Sequence, residues 1–277
     1  MTKFLTSISG NQADRYLHIL GITRKAPDYA YLCELVMAHL CSVPFENISK
    51  LYYLQTAQLQ TLPDLDLYLD GTKRFHFGGT CYPNNYYFNL LLKFLGFDAI
   101  LCGADMNQPD VHIVSIVKAE GLRYLVDVGY AAPFFGPMPI DARENYIQSW
   151  GHDKYLIQPA DQDGNISLEF FRNDNYLHGY KVKPRPRVIT DFESAIAASL
   201  AETATFRRAL LLTRFKPGWS LRIHNLNIIE SDQSGEKQSL ISGRELLPAT
   251  IEKYFGIPQT ITQEAMKALL GLENPWN

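Results

Sequence analysis

FGGTCYPNNYYFNLLLKFLGF, residues 77–97, is where the chain's organisation first becomes legible. Gly78 and Gly79 let the backbone turn sharply and approach another group closely. Tyr86 to Leu95 reads as a helix, and Gly96 is placed like its C-terminal cap. Pro83 suits a first helical turn, where its missing N–H has no intrahelical partner to lose. Cys81 therefore stands at a helix start. The positive end of the helix dipole there favours the thiolate, the reactive form. The competing reading is a buried inert thiol, the common fate of free cysteines. Cys33, Cys41 and Cys102 fit that reading, the first two on or at the end of an apolar helix and the third in a strand.

Upstream, Leu32, Leu35, Val36, His39 and Leu40 recur at helical spacing, and Pro44 ends that helix. A polar, leucine-rich stretch follows to about Lys73. Downstream, residues 97–104, 111–117 and 122–128 read as strands, rich in β-branched and aromatic residues. Asp and Gly punctuation continues to about Asn175. KPRPRV, residues 183–188, breaks regular structure and marks a boundary. A helix is expected near Phe192, a strand pair around 220–229 and 237–241, and helices near 245–254 and 262–270. Helices, then a β-rich body, then an α/β cap make this an α+β chain.

His112 opens the strand HIVSIVK, and Asp127 lies in LRYLVDVG. A hairpin centred between Ala119 and Glu120 sets these two residues directly opposite, with Cβ atoms about 4.5–5.5 Å apart. Asp127 would then accept the imidazole N–H, fix its tautomer and stabilise its charged form. A turn one residue longer spoils that pairing. The alternative is a strand-end histidine and an Asp serving a local turn. The other six histidines lack a comparable carboxylate partner in local sequence.

The bulk numbers exclude several classes. With 277 residues, two or three substructures are expected. A composition 46% apolar and 20% charged is that of a globular protein. A net charge of −3 gives no field to attract nucleic acid. No apolar run reaches the roughly 18 residues of a membrane span. MTKFLTSISGNQADRYLHIL lacks a signal peptide's apolar core, so a cytoplasmic location is expected. Four scattered cysteines, without a CxxC pair or a zinc-finger histidine, argue for neither a disulfide framework nor a metal site.

Over nearly its whole length the chain resembles the arylamine N-acetyltransferases, as a divergent bacterial-type member. Val43-Pro44-Phe45-Glu46-Asn47 looks like the PFEN motif of that family, and Gly78-Gly79-Thr80-Cys81-Tyr82 like its RGGxC motif. The strand from His112 and the run Val126-Asp127-Val128-Gly129-Tyr130 look like the segments supplying the catalytic His and Asp. Asp191-Phe192-Glu193 matches the start of its C-terminal domain.

The resemblance implies a helical domain over 1–95, a β-barrel over 96–188 and an α/β lid over 189–277, with a papain-like Cys81-His112-Asp127 triad. It implies ping-pong acetyl transfer from acetyl-CoA to an arylamine, hydrazine or hydroxylamine, a chemistry of xenobiotic metabolism. Phe45 and Tyr130 would wall the acceptor pocket, and Gly129, Thr205 and Arg207 would contact CoA. Some positions depart from the family pattern. Phe77 replaces the Arg before the glycine pair, leaving Glu46 without its usual partner; Arg74, His76 or Lys50 are the substitutes in reach. Pro83 or Asn84 falls where an acidic residue is usual, Ala131 where Gly is common, and Glu202 lies in the CoA-contacting region. Alternative readings are an amide synthase with a carrier-bound acyl donor, a cysteine hydrolase, and a non-catalytic binding protein of the same fold.

Overall fold

The structure, a computed structural model, describes residues 4–232 and 234–273. Its first third is helical. Helix α1 (Gly10–Leu20) starts on a reciprocal cap between Ser9 and Gln12 and ends at Gly21, whose φ is 69°. Helix α2 (Tyr29–Ser42) starts on the Asp28 side chain, which accepts from Tyr31 N at 2.7 Å. It stops at Val43, the residue before Pro44. A two-residue strand β1 (Phe45–Glu46) follows. The polar, leucine-rich stretch holds two further helices, α3 (Ile48–Ala57) and α4 (Leu65–Phe75). Helix α5 (Cys81–Phe94) is buried at every position from Tyr82 to Leu92, as befits a helix packed on all sides.

An eight-stranded, barrel-like antiparallel sheet comes next. It comprises β2 (Asp98–Asp105), β3 (His112–Ala119), β4 (Leu122–Val126), β5 (Met138–Pro139), β6 (Tyr146–Trp150), β7 (Asp153–Ile157), β8 (Ile166–Arg172) and β9 (Asn175–Val182). The strand order is β5-β4-β3-β2-β9-β8-β7-β6. Leu101, Ile113 and Val117 turn one face of β2 and β3 towards α5, while Cys102, Val114 and Ile116 fill the barrel interior with Phe134 and Tyr155.

The β3–β4 register corrects the expected one. Ala119 pairs with Leu122 and Ser115 with Val126, so the turn is Glu120-Gly121, one residue later than supposed. Both residues have positive φ, 50° and 82°, the signature of a tight two-residue hairpin turn. His112 is therefore not directly opposite Asp127. The ladder ends at Ser115–Val126, and Asp127 lies one residue beyond it. The shift moves each partner by two positions and so keeps His112 and Asp127 on one face as diagonal neighbours.

After β9, a short 3-10 turn (Ile189–Phe192) leads to α6 (Glu193–Ala198) and α7 (Thr205–Arg208). The expected strand pair is a four-stranded meander: β10 (Leu211–Lys216), β11 (Trp219–His224), β12 (Asn227–Asp232) and β13 (Gly235–Leu240). Helices α8 (Leu247–Phe255) and α9 (Gln259–Ala265) close the described chain. One sheet face, with Leu212, Leu221 and Ile223, packs against α3, α8 and α9 through Leu51, Ile251 and Ala265. β1 completes this sheet: Phe45 pairs with Thr213 on one side and bridges to Gly79 on the other. Among the described residues, no helix is long and apolar enough to cross a membrane.

Candidate active site

The turn before α5 is compressed. A Cβ on Gly78 would lie 1.8 Å from the Pro44 carbonyl oxygen, and one on Gly79 would lie 2.5 Å from Pro83 Cγ. The buried Glu46 carboxylate braces this turn, accepting from Gly78 N at 3.1 Å and from Ser49 N at 2.8 Å. Backbone N–H groups, one of them in the first turn of α3, thus take the place of the absent guanidinium. Burial pushes the Glu46 carboxyl up, and these bonds pull against it. None of the three suggested substitutes takes that role. Lys50 Nζ donates to Ser199 Oγ at 3.0 Å, Arg74 lies over the Phe75 ring, and His76 packs under Gly256. Phe77 instead sits among Tyr52, Tyr53 and Phe75, ring centres 5.4–5.7 Å apart. Asn84 secures the turn from within α5, with Nδ2 on the Gly79 carbonyl at 3.0 Å and Oδ1 accepting from Tyr68 at 3.0 Å.

Cys81 is the first residue of α5, and its thiol is 3.8 Å from the Val111 carbonyl. The structure brings His112 and Asp127 together, His112 Nε2 being 2.8 Å from Asp127 Oδ2. Both side chains are sealed from solvent. The imidazole also meets the Cys81 thiol, for which Nδ1 is the remaining nitrogen. Burial disfavours the charged imidazole, but the Asp127 carboxylate and the thiol outweigh it and raise His112 to about 10. Asp127 is likewise pushed up by burial, yet its partners hold it below the usual carboxylate range.

Those partners include residues that sequence reasoning missed. Asp127 accepts from His112, from Tyr180 Oη at 2.8 Å, from Asn85 Nδ2 at 2.8 Å and from Gly129 N at 3.0 Å. Asn85 also donates to the Ile113 carbonyl at 2.7 Å and accepts from Val128 N at 2.9 Å. Its spacing from Cys81, one helical turn on the same face, was a readable signal. Tyr180, on β9, gave no local signal.

The remaining expected site residues divide into two groups. Tyr130 stays with the cluster, its ring 5.6 Å from His112 and its hydroxyl 2.6 Å from His178 Nδ1. Gly129 is pressed against the helix start, where a Cβ would lie 2.8 Å from Cys81 Cα. Its evident role is to leave room there. Phe45 is buried and sits beside the glycine turn through its bridge to Gly79. Thr205 opens α7, and that segment meets the cluster through Phe206, whose ring packs on Phe45 at 5.9 Å. Arg207, expected to contact CoA, donates its guanidinium to the carbonyls of Ala268 and Leu200, both at 3.0 Å. A cleft opens behind the glycine turn, lined by Lys50, Tyr53, Phe77, Gly79 and Pro83 but not by Cys81. Burial draws Lys50 down to about 8, against an upward pull from Cys81.

A family model described as N-acetyltransferase matches residues 28–263. The chain is 28% identical over 186 residues to an arylamine N-acetyltransferase of Mycolicibacterium smegmatis, covering 62% of this chain and 66% of that one. The first curated relatives are spanned over about half to two thirds of their length. Among solved structures, the arylamine N-acetyltransferase of Mycobacterium abscessus superposes with a TM-score of 0.78 at 18% identity, over 93% of this chain and 94% of its own. That of Mycobacterium marinum, in complex with CoA, gives 0.77 at 19%, over 93% and 99%. At these identities the likeness shows the fold.

Proposed function

Because the chain belongs to the arylamine N-acetyltransferase family, we propose that it transfers an acetyl group from acetyl-CoA to an aromatic amine, hydrazine or hydroxylamine, with Cys81, His112 and Asp127 as its catalytic triad. The observation that carries this reading is the sealed 2.8 Å contact between His112 and Asp127 beside a cysteine at a helix start. Cys81 Sγ, its proton already held by His112, attacks the thioester carbonyl. The tetrahedral intermediate collapses, and the CoA thiol leaves with that proton. The amine then attacks the acetyl-Cys81 thioester, His112 takes the amine proton and is again charged, and Cys81 is freed. Thioester exchanged for thioester keeps the first step near energetic balance, which suits a thiol nucleophile. The Asp127 carboxylate stabilises the imidazolium and fixes the ring so that Nδ1 faces sulfur. Phe45 and Tyr130 wall the acceptor side. Residues 1–95 supply the nucleophile, 96–188 supply His and Asp, and 189–277 cover the site. All four cysteines are free, in keeping with a cytoplasmic setting.

Incubation with acetyl-CoA and no acceptor, followed by intact mass and peptide mapping, tests this reading. One acetyl group on Cys81, absent from Cys81→Ala, is expected; no adduct from any acyl-CoA would sink it. A second reading uses the same triad with an acyl chain delivered by a carrier protein. The engagement of Arg207 by two backbone carbonyls favours it. Acylation by the carrier-bound donor and not by acetyl-CoA would select it.

A further inference from the structure

A line of polar groups crosses the apolar helical core and ends on the turn before Cys81. It takes one side chain from each of four helices: His39 of α2, Tyr16 of α1, Tyr68 of α4 and Asn84 of α5. All four are buried, and Tyr16 and Tyr68 belong to the same core as Leu35, Leu65 and Phe88. Asn84 Nδ2 donates to the Gly79 carbonyl at 3.0 Å, and Asn84 Oδ1 accepts from Tyr68 Oη at 3.0 Å. Tyr68 meets the Tyr16 hydroxyl, and Tyr16 Oη lies 3.1 Å from His39 Nδ1. The last member fixes the direction of every bond before it. A carbonyl only accepts, so Asn84 must present its nitrogen to Gly79 and its oxygen to Tyr68. The Tyr68 proton is then committed to Asn84, and the Tyr68 oxygen accepts from Tyr16. That commits the Tyr16 proton as well, so the Tyr16 oxygen accepts from His39 Nδ1–H. Burial pushes both phenols up and draws His39 down to about 3, so the hydroxyls keep their protons and the imidazole is neutral. His39 Nε2, bare in this tautomer, is buried without a hydrogen-bond partner among the described residues.

We propose that His39, Tyr16, Tyr68 and Asn84 act together as positioning residues for Cys81, setting the Gly79 carbonyl and with it the first turn of α5. This rests on the acetyl-transfer reading above. Phenylalanine in place of either tyrosine would fill the same apolar space, and a buried hydroxyl is costly unless it is hydrogen-bonded. The two hydroxyls therefore serve as links rather than as filler. Thr80, at the N-cap of α5, makes no capping bond with its side chain, so the helix start lacks the usual local brace. The Gly79 carbonyl is held from two sides instead, by Glu46 N at 3.1 Å and by Asn84. An amide is what completes the chain at position 84. A carboxylate there would set an oxygen against the Gly79 carbonyl, and an apolar side chain would strand the Tyr68 proton. Linked hydrogen bonds in an apolar interior polarise one another and rigidify what they join; here they join three helices to the turn that presents the thiol.

The test reads Cys81 directly, as the pH profile of its alkylation by iodoacetamide. Peptide mapping separates it from Cys33 and Cys41, which are half-buried. A thiolate held beside charged His112 reacts across neutral pH, whereas a sulfur that has drifted from the imidazole reacts only at higher pH. Tyr68→Phe and Asn84→Asp are expected to slow alkylation at pH 7 about 10-fold and to move the rise in rate upward. Tyr16→Phe is expected to do the same to a smaller extent, and Asn84→Gln, which keeps the amide, to lose less than Asn84→Asp. Where Cys81 takes an acetyl group, its acetylation should slow in parallel. Alkylation needs no acyl donor, so shifted profiles support the chain even if acetyl-CoA leaves the protein unmodified. Variants that lower Tm but keep the parent's profile overturn the proposal, because a merely structural role predicts that result. The His39 tautomer, read from its ring nitrogen-15 shifts, is a second check: a proton on Nδ1 supports the chain, and one on Nε2 overturns it. If Tyr68→Phe or Asn84→Asp fails to fold, Tyr16→Phe, farther from the turn, carries the same comparison.

Discussion

Asp127 is buried among four hydrogen-bond donors, and only one of them belongs to the proposed triad. Asn85 does the most local work, since it joins α5 to β3 and to the loop after β4. Replacing it with alanine orphans Val128 N and the Ile113 carbonyl and removes one donor from Asp127. Asn85→Ala is expected to lower the rate of acetyl transfer about 100-fold, by letting the imidazole drift from the sulfur; steady-state kinetics with a folded variant checks this. The pH dependence of folding follows from His112. Its value of about 10 in the folded state lies above the ordinary imidazole value near 6.5, so the folded chain holds a proton that the unfolded chain releases. The resulting stabilisation is whole below pH 6.5 and is lost as pH rises towards 10. Urea denaturation at several pH values should show the gap between the parent protein and His112→Gln narrowing over that window. Cys81, His112 and Asp127 could be read as candidates because each has a local sequence context. Tyr180 could not, for it reaches Asp127 across 53 positions.

At the scale of elements, the hairpin shows how a correct pairing survived a wrong register. The turn composition placed the reversal, but the choice between Ala119-Glu120 and Glu120-Gly121 rests on which residues tolerate positive φ. Gly121 does so without penalty; Glu120, at 50°, does not. Glu120→Asn should therefore stabilise the protein by about 0.5–1 kcal/mol, visible as a rise of about 1–3 °C in Tm. Helices α3 and α4 and strand β10 were harder to read. Helix α4 buries Gly71 and Thr72 along with its leucines, which blurs the apolar stripe. Strand β13, expected around 237–241, exposes five of its six residues and shows none of the alternation that marks a half-buried strand. The helix through Cys81 was legible because glycines, a first-turn proline and a closing glycine bracket it.

For the molecule as a whole, the tie between the N-terminal helices and the C-terminal sheet runs through residues 45–47. Asn47 starts α3 without capping it. Its side chain instead reaches the far segment, donating to the carbonyls of Phe206 and Ala209 and accepting from Leu211 N, each at 2.9 Å. Asn47→Ala orphans those three backbone groups and is expected to cost about 3 kcal/mol, measurable by urea denaturation. The α+β architecture was readable from the order of elements, whereas this long-range tie was not, because no local pattern announces it.

The two-residue strand β1 also bears on the order of events in folding. It touches Gly79 on one edge and Thr213 on the other, so the turn that presents Cys81 is supported by a contact far away in sequence. Contacts of such separation form late, because a long loop must close before they contribute. On a ribosome, the helices would emerge and pack well before residue 213 is made. The thiol at the head of α5 would thus wait, unsupported on one side, until the last part of the chain arrived.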